Sequence, residues 1–194
     1  IKTAGLKINP EKCVFNKKEL AFLGHTVSGN GIQTNKKKIE QIQMALPPKC
    51  SKQLRSFLGL TNYYRRFIKD YAKIAAPLHA ATSGCEKAIN WSTACEESFN
   101  LLKRKLCEAP ILDYPRENRS FILDTDASFG AIGGVLSQLT EVGDEVVIAY
   151  GSRHLTTHEK GYCVTRKELL AVHEYVTYFK EYLYGKRFTI RTDH

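Results

Sequence analysis

Three carboxylates in the C-terminal part of this chain occupy similar addresses. Asp126 ends a β-rich stretch, Glu168 sits in the first turn of a helix-patterned stretch, and Asp193 ends another β-rich stretch. If those two β stretches run side by side in parallel, the two Asp backbones stand about 5 Å apart at one sheet edge. A helix crossing that sheet brings Glu168 to the same spot. Carboxylates so placed repel one another unless a divalent cation neutralises them. Two such cations activate a water and stabilise the leaving oxygen of a phosphodiester. Ala127 and Ser128, directly after Asp126, leave room for a substrate backbone. The chemistry in view is phosphodiester hydrolysis.

Each acid also has an ordinary explanation. Asp favours the turns at strand ends, and Glu168 follows Thr165 by three residues, the spacing of a helix capping box. Alternation places Asp124 on the same face as Asp126, one pleat back, so the pattern leaves open which of them is the ligand. Asp144 and Glu145 read as turn residues, and Glu174 and Glu181 as solvated helix positions.

The elements that must position these acids follow from periodicity. Residues 120–126, 131–138 and 145–152 read as three strands, and their short connections predict antiparallel pairing. A helix over about 165–178 presents Leu169, Val172, Val176 and Phe179 on one face, and residues 187–193 form a last strand. A lone terminal strand needs a sheet, so the helix crosses over and lays it beside the first strand. The fold class is mixed α/β.

Upstream, residues 12–15 and 20–28 read as two strands joined by the turn 16–19, before Gly29-Asn30-Gly31 breaks the pattern. Asn35 caps a helix carrying Ile39, Ile42 and Leu46, which Pro47-Pro48 ends. Ser51 caps a second helix to about Lys69, with Leu54, Phe57, Leu58, Thr61, Tyr64 and Ile68 inward. Its other face carries Lys52, Arg55, Gly59, Asn62, Tyr63, Arg66 and Lys69. Thr93 and Glu96 suggest a capping box for a third helix through Phe99, Leu102 and Leu106, and Pro110 and Pro115 bracket a linker.

Charge is segregated. The chain has 194 residues with 29 Lys and Arg against 20 Asp and Glu. Residues 1–117 hold 20 bases and 10 acids, whereas 118–194 hold 9 and 10. A basic N-terminal part suits a polyanion held through phosphate contacts. No apolar run approaches a membrane span, and six cysteines without metal spacing predict free thiols in a reducing, intracellular setting rather than secretion. The start at Ile1-Lys2-Thr3, without Met, reads as an internal piece of a longer protein.

Several strings, in order, resemble one family. Phe121-Ile-Leu-Asp-Thr-Asp-Ala-Ser-Phe-Gly-Ala-Ile-Gly-Gly-Val-Leu-Ser-Gln138 is similar to the start of the ribonuclease H domain in Pol polyproteins of gypsy-class LTR retrotransposons. Tyr150-Gly-Ser-Arg-His-Leu-Thr156, Arg166-Lys-Glu-Leu-Leu-Ala171 and Arg191-Thr-Asp-His194 resemble later parts of that domain. Lys7-Ile-Asn-Pro-Glu-Lys-Cys13, Phe22-Leu-Gly-His25 and Leu54-Arg-Ser-Phe-Leu-Gly-Leu-Thr-Asn-Tyr-Tyr-Arg-Arg-Phe67 resemble the reverse transcriptase palm exit and thumb.

The resemblance implies a palm hairpin over 1–33, a helical thumb over 34–82, a connecting segment with a helix over 83–117, and a C-terminally incomplete ribonuclease H-like domain over 118–194. It implies that Asp126, rather than Asp124, binds metal together with Glu168 and Asp193, and that two magnesium ions fill the complete site. Phe22, Leu23, Gly24 and His25 then correspond to a primer-gripping hairpin. Arg55, Gly59, Asn62, Tyr63 and Arg66 lie on the thumb where related enzymes meet the duplex, Arg55, Gly59 and Tyr63 tracking its minor groove. The implied partners are RNA–DNA hybrid, DNA duplex and the remainder of the Pol polyprotein, in cytoplasm, virus-like particle or nucleus. The polymerase Tyr-x-Asp-Asp motif is absent, and the chain stops before the family's fifth strand, final helix and fourth carboxylate. The parent is thus expected to be an RNA-directed DNA polymerase with ribonuclease H, and this piece inactive or weak alone. The alternatives are a domesticated or decayed nucleic-acid-binding module and an assembly subdomain.

Overall fold

The computed structural model describes residues 2–82 and 89–193. Cys85, residues 83–88 of the connecting segment, and His194 of the last matching string lie outside them. Cys13, Cys50, Cys95, Cys107 and Cys163 are free thiols, as expected.

A three-stranded antiparallel sheet opens the chain: β1 (Glu19–Phe22), β2 (His25–Ser28) and β3 (Gly31–Thr34). The expected strand over 12–15 does not form. Pro10–Lys12 makes a single 3-10 turn instead, with the Asn9 side chain accepting from the Glu11 N–H. The 20–28 run splits because Leu23 and Gly24 take positive φ values of 44° and 72°, the backbone of a two-residue hairpin turn whose twist suits antiparallel strands. β3 also meets Leu112 through paired main-chain bonds of 2.8 and 3.0 Å. A Cβ on Gly31 would stand 2.3 Å from the Leu112 carbonyl oxygen, so this approach requires glycine.

The helical part contains α1 (Lys36–Gln43), α2 (Ser51–Tyr63), α3 (Tyr71–Ala81) and α4 (Thr93–Cys107). Asn35 caps α1 as expected, but α1 ends before Leu46, which is left 81% exposed. Cys50, not Ser51, is the N-cap residue of α2, and that helix stops at Tyr63 rather than Lys69. A 3-10 turn, Arg65–Phe67, and the left-handed Asp70 redirect the chain into α3, a helix the sequence reading missed. Pro77 lies inside α3 and weakens its helical signature. Ser92, one residue before the expected Thr93, caps α4, and Glu96 instead accepts from the Trp91 indole N–H at 2.6 Å. Leu54, Phe57, Leu58, Tyr64, Ile68, Phe99, Leu102 and Leu106 share one core, so the predicted inward face of α2 is the buried one.

The C-terminal part contains β4 (Phe121–Ala127), β5 (Ala131–Leu139), β6 (Glu145–His154), α5 (Thr157–Lys160), α6 (Val164–Tyr178), α7 (Lys180–Leu183) and β7 (Phe188–Arg191). Strand order is β6-β5-β4-β7, antiparallel except for the parallel β4–β7 pair, as the crossover argument required. The buried positions of α6 are Lys167, Glu168, Ala171 and Tyr175. Of the predicted face, Phe179 is buried just beyond the helix and Val176 packs against the core, but the buried stripe is shifted off Leu169, which is 65% exposed. The sheet surface explains this shift. Gly134 and Gly151 form a trough for the Tyr175 ring, and a Cβ on either would lie 2.4 or 2.6 Å from it. Within β6, Ile148 and Ala149 join the α6 core, while Val147 and Tyr150 pack against the helical core. The sheet is thus covered by α6 and by the α2–α4 unit. No helix among the described residues is long and apolar enough to cross a membrane.

Candidate metal centre and nucleic-acid face

Parallel pairing sets the first part of the centre. Asp124 is registered with Arg191, so Asp126 and Asp193, each two residues further on, emerge at the same sheet edge. Glu168 arrives from α6, buried at 6% exposure. One carboxylate oxygen from each of Asp126, Glu168 and Asp193 lies within 4.8 Å of the others. The structure therefore brings the three predicted acids together, Asp126 and Asp193 facing solvent and Glu168 from the interior. The capping explanation for Glu168 fails, because α6 begins at Val164 with Cys163 in the cap position. The capping box belongs to α5, where Thr156 and Glu159 satisfy each other's backbone N–H groups.

Asp124 has a different occupation. Arg191 donates to both of its oxygens, at 2.5 and 2.6 Å, and also to Glu145 at 2.8 and 3.0 Å. That bidentate bond neutralises Asp124 and keeps it out of the cluster. Glu145, expected in a turn, is the first residue of β6 and the far end of this bridge. Glu174, expected to be solvated, receives Arg153 at 3.1 Å, while the same guanidinium grips Glu159 at 2.9 and 3.0 Å. The Arg153 bond holds the Glu159 carboxyl down to about 2, helped by the Thr156 N–H. This clamp ties the end of β6 to α5 and α6, and so fixes the helix that carries Glu168.

The predicted nucleic-acid residues form a second group. Phe22 and Leu23 are exposed at the tip of the β1–β2 turn. Tyr63 donates its hydroxyl to the Leu23 carbonyl, and Tyr64 donates to the Gly24 carbonyl at 2.6 Å. The His25 ring stacks on Tyr63 with centroids 5.2 Å apart and planes 13° from parallel. Burial, then the nearby charge of Arg66, pulls the His25 pKa below 6.5. Arg55, Gly59, Asn62 and Tyr63 are exposed along α2. Arg66 departs from that face: it lies in the 3-10 turn, half-buried. Sequence reasoning assigned Tyr64 only to the core; its tyrosine hydroxyl, able to reach a backbone carbonyl, was the available signal.

The family profile for the RNase H-like domain found in reverse transcriptase matches residues 91–190. The chain belongs to that family, within the Pol polyproteins of retroelements. Over 191 residues this RNase H-like segment is 39% identical to the retrovirus-related Pol polyprotein from transposon 412 of Drosophila melanogaster, covering 97% of this chain and 15% of the relative. It is 35% identical over 203 residues to the corresponding polyprotein from transposon gypsy of the same organism, covering 98% of this chain and 19% of the relative. The segment thus spans under a fifth of the length of either relative. In fold it resembles the foamy viral protease-reverse transcriptase solved in complex with RNA/DNA hybrid, with a TM-score of 0.78 at 23% identity over 92% of this chain and 24% of that one.

Proposed function

We propose that this segment supplies the thumb and most of the ribonuclease H of a polymerase–nuclease, cleaving the RNA strand of an RNA–DNA hybrid by magnesium-dependent phosphodiester hydrolysis. The observation that carries this reading is the meeting of Asp126, Glu168 and Asp193 oxygens within 4.8 Å. The donor set is all carboxylate, as a hard cation requires. Asp126 and Asp193 would hold it from the solvent side and Glu168 from beneath. Bound there, magnesium lowers the pKa of an attacking water and stabilises charge on the leaving oxygen. The chain's own part is to hold three negative groups in place: parallel register aligns the two Asp residues, and the Tyr175 trough sets the depth of Glu168.

The thumb supports the duplex side of the reading. Glycine inside a helix costs about 1 kcal/mol relative to alanine. Yet a Cβ on Gly59 would meet nothing within 4 Å, so no contact among the described residues demands glycine there. A partner approaching α2 closely does, and Arg55 and Tyr63, each four residues away, would meet its phosphates and sugars. RNA is told from DNA by its 2′-hydroxyls in the minor groove. Function in cytoplasm, particle or nucleus belongs to the same proposal.

The test is hybrid cleavage by the longer Pol polyprotein carrying Glu168→Gln. Loss of RNA cleavage with DNA synthesis retained is the expected result. Wild-type cleavage by that variant would falsify the site assignment, and hybrid binding without cleavage by the unmutated protein would favour a binding module.

A further inference from the structure

Beside the acidic cluster stand two residues that neither the motif reading nor the metal site uses. Phe129 lies in the β4–β5 turn, three residues after Asp126, and is 82% exposed. Lys167 precedes Glu168 on α6 and is only 8% exposed. The Lys167 ammonium sits 5.2 Å from the centroid of the Phe129 ring.

Neither residue is explained by the fold. The Lys167 ammonium lies over the Phe129 ring, yet most of the Phe129 surface remains open. Nor is the turn loose: Ser128 locks it, its N–H and hydroxyl both donating to the Ala131 carbonyl at 2.8 Å. The turn backbone is therefore fixed, and it presents a large aromatic ring to solvent. Lys167 has its stem buried, so its rotamer freedom is already lost. Its ammonium makes no ion pair among the described residues, whereas Arg153 and Arg191 are each bound to two carboxylates. A cation on a buried stem and an open ring in contact with it, each within three residues of a cluster acid, match the two chemistries of a nucleotide: a phosphate and a flat base or sugar face.

We infer that Phe129 and Lys167 form a strand-holding subsite flanking the acidic cluster, Lys167 contacting a phosphate and Phe129 packing on the neighbouring sugar or base. The pair positions the strand and takes no part in bond breaking. The inference rests on the proposed nuclease reading for the identity of the strand. Aromatic packing tolerates any base, so the subsite contributes grip without sequence preference.

The experiment measures affinity of the 194-residue chain for an RNA–DNA hybrid by fluorescence anisotropy in EDTA, across a range of KCl concentrations. Lys167→Gln is expected to weaken binding and to reduce the slope of log affinity against log salt by about one. Lys167→Arg should retain the slope. Phe129→Ser should weaken binding about fivefold or more at every salt concentration, with the slope unchanged. Because Phe129 is exposed, its variant tests the subsite even where Lys167→Gln disturbs folding. Wild-type affinity in Phe129→Ser, an unchanged slope in Lys167→Gln, or no hybrid binding by the unmutated chain would each overturn the inference. Manganese binding to the nucleic-acid-free chain separates the two readings. Its absence removes the metal centre but leaves a positive strand-holding result standing.

Discussion

Tyr63 donates its hydroxyl to the backbone carbonyl of Leu23, joining the end of a helix to a hairpin tip 40 residues earlier. Leu23 has a positive φ of 44°, a conformation that costs a non-glycine residue about 1–3 kcal/mol. The strained turn persists because it is held from outside: Tyr63 and Tyr64 bind consecutive carbonyls, and the Tyr63 ring lies where a Cβ on Gly24 would come within 3.2 Å of it.

Tyr63→Phe keeps the ring and removes the bond. Hydrogen exchange at the Gly24 and His25 amides is expected to accelerate about threefold to tenfold, the equivalent of a net hydrogen bond of about 0.5–1.5 kcal/mol. Unchanged exchange would show that the tether carries no energy and that Tyr64 holds the turn alone.

The glycine trough under Tyr175 makes a sharper structural prediction. Gly134→Ala puts a methyl 2.4 Å from Tyr175 Cγ, so the ring and α6 must shift. Overpacking of this kind costs about 1–3 kcal/mol. Glu168 lies two turns before Tyr175 on the same helix face, so weaker manganese binding should accompany the lowered Tm. A drop in Tm with manganese affinity intact would dissociate the helix seat from the metal centre.

How far the sequence reveals this depends on whether the signal is local. Period-two patterning predicted the β4–β7 sheet and its crossover because alternation is intrinsic to each strand. The three acids were legible because strand ends and first helical turns are positions in sequence. What escaped was set by tertiary shape. The inward face of α6 is chosen by glycines on other strands, so Leu169 and Glu168 exchange the places that hydrophobicity alone would assign. Pro77 hid α3, since a proline tolerated by packing reads as a breaker. The Leu23-Gly24 turn hid inside an apolar run because the tyrosines that hold it lie 40 residues away. Asp124 and Asp126 could not be separated by pattern, because the difference between them is Arg191.

That difference can be measured. Asp126→Asn should reduce manganese affinity at least about tenfold, since it removes charge and a donor from the cluster. Asp124→Asn should leave manganese affinity within about twofold and act on stability through Arg191. The ion pair is half-exposed, so its loss should cost no more than about 1 kcal/mol. Equal losses of metal binding in the two variants would show that Asp124 is a ligand as well.

The pH dependence of the hairpin clamp follows from His25. Burial, followed by the charge of Arg66, holds its folded pKa below the ordinary 6.5. The folded state therefore prefers the neutral ring. The resulting stability is fully present above pH 6.5 and is lost as pH falls through the lowered folded value. Proton titration of the His25 ring by NMR should give a midpoint under 6.5, and Arg66→Gln should move it up. A midpoint at or above 6.5 would mean that the stacked ring is neither desolvated nor near the guanidinium.

Gly59 offers a test in which stability and function should separate. It lies mid-helix in α2 with open space where a side chain would go. Gly59→Ala should therefore stabilise the chain by about 1 kcal/mol through helix propensity alone. If a duplex approaches α2 at this point, the added methyl stands in its path, and affinity for RNA–DNA hybrid should fall although the protein melts at a higher temperature. Arg55→Ala should weaken the same binding and flatten its salt dependence by about one phosphate contact. A Gly59→Ala variant that is both more stable and equally tight would remove α2 from the duplex interface, leaving the hairpin tip and the sheet edge to account for binding.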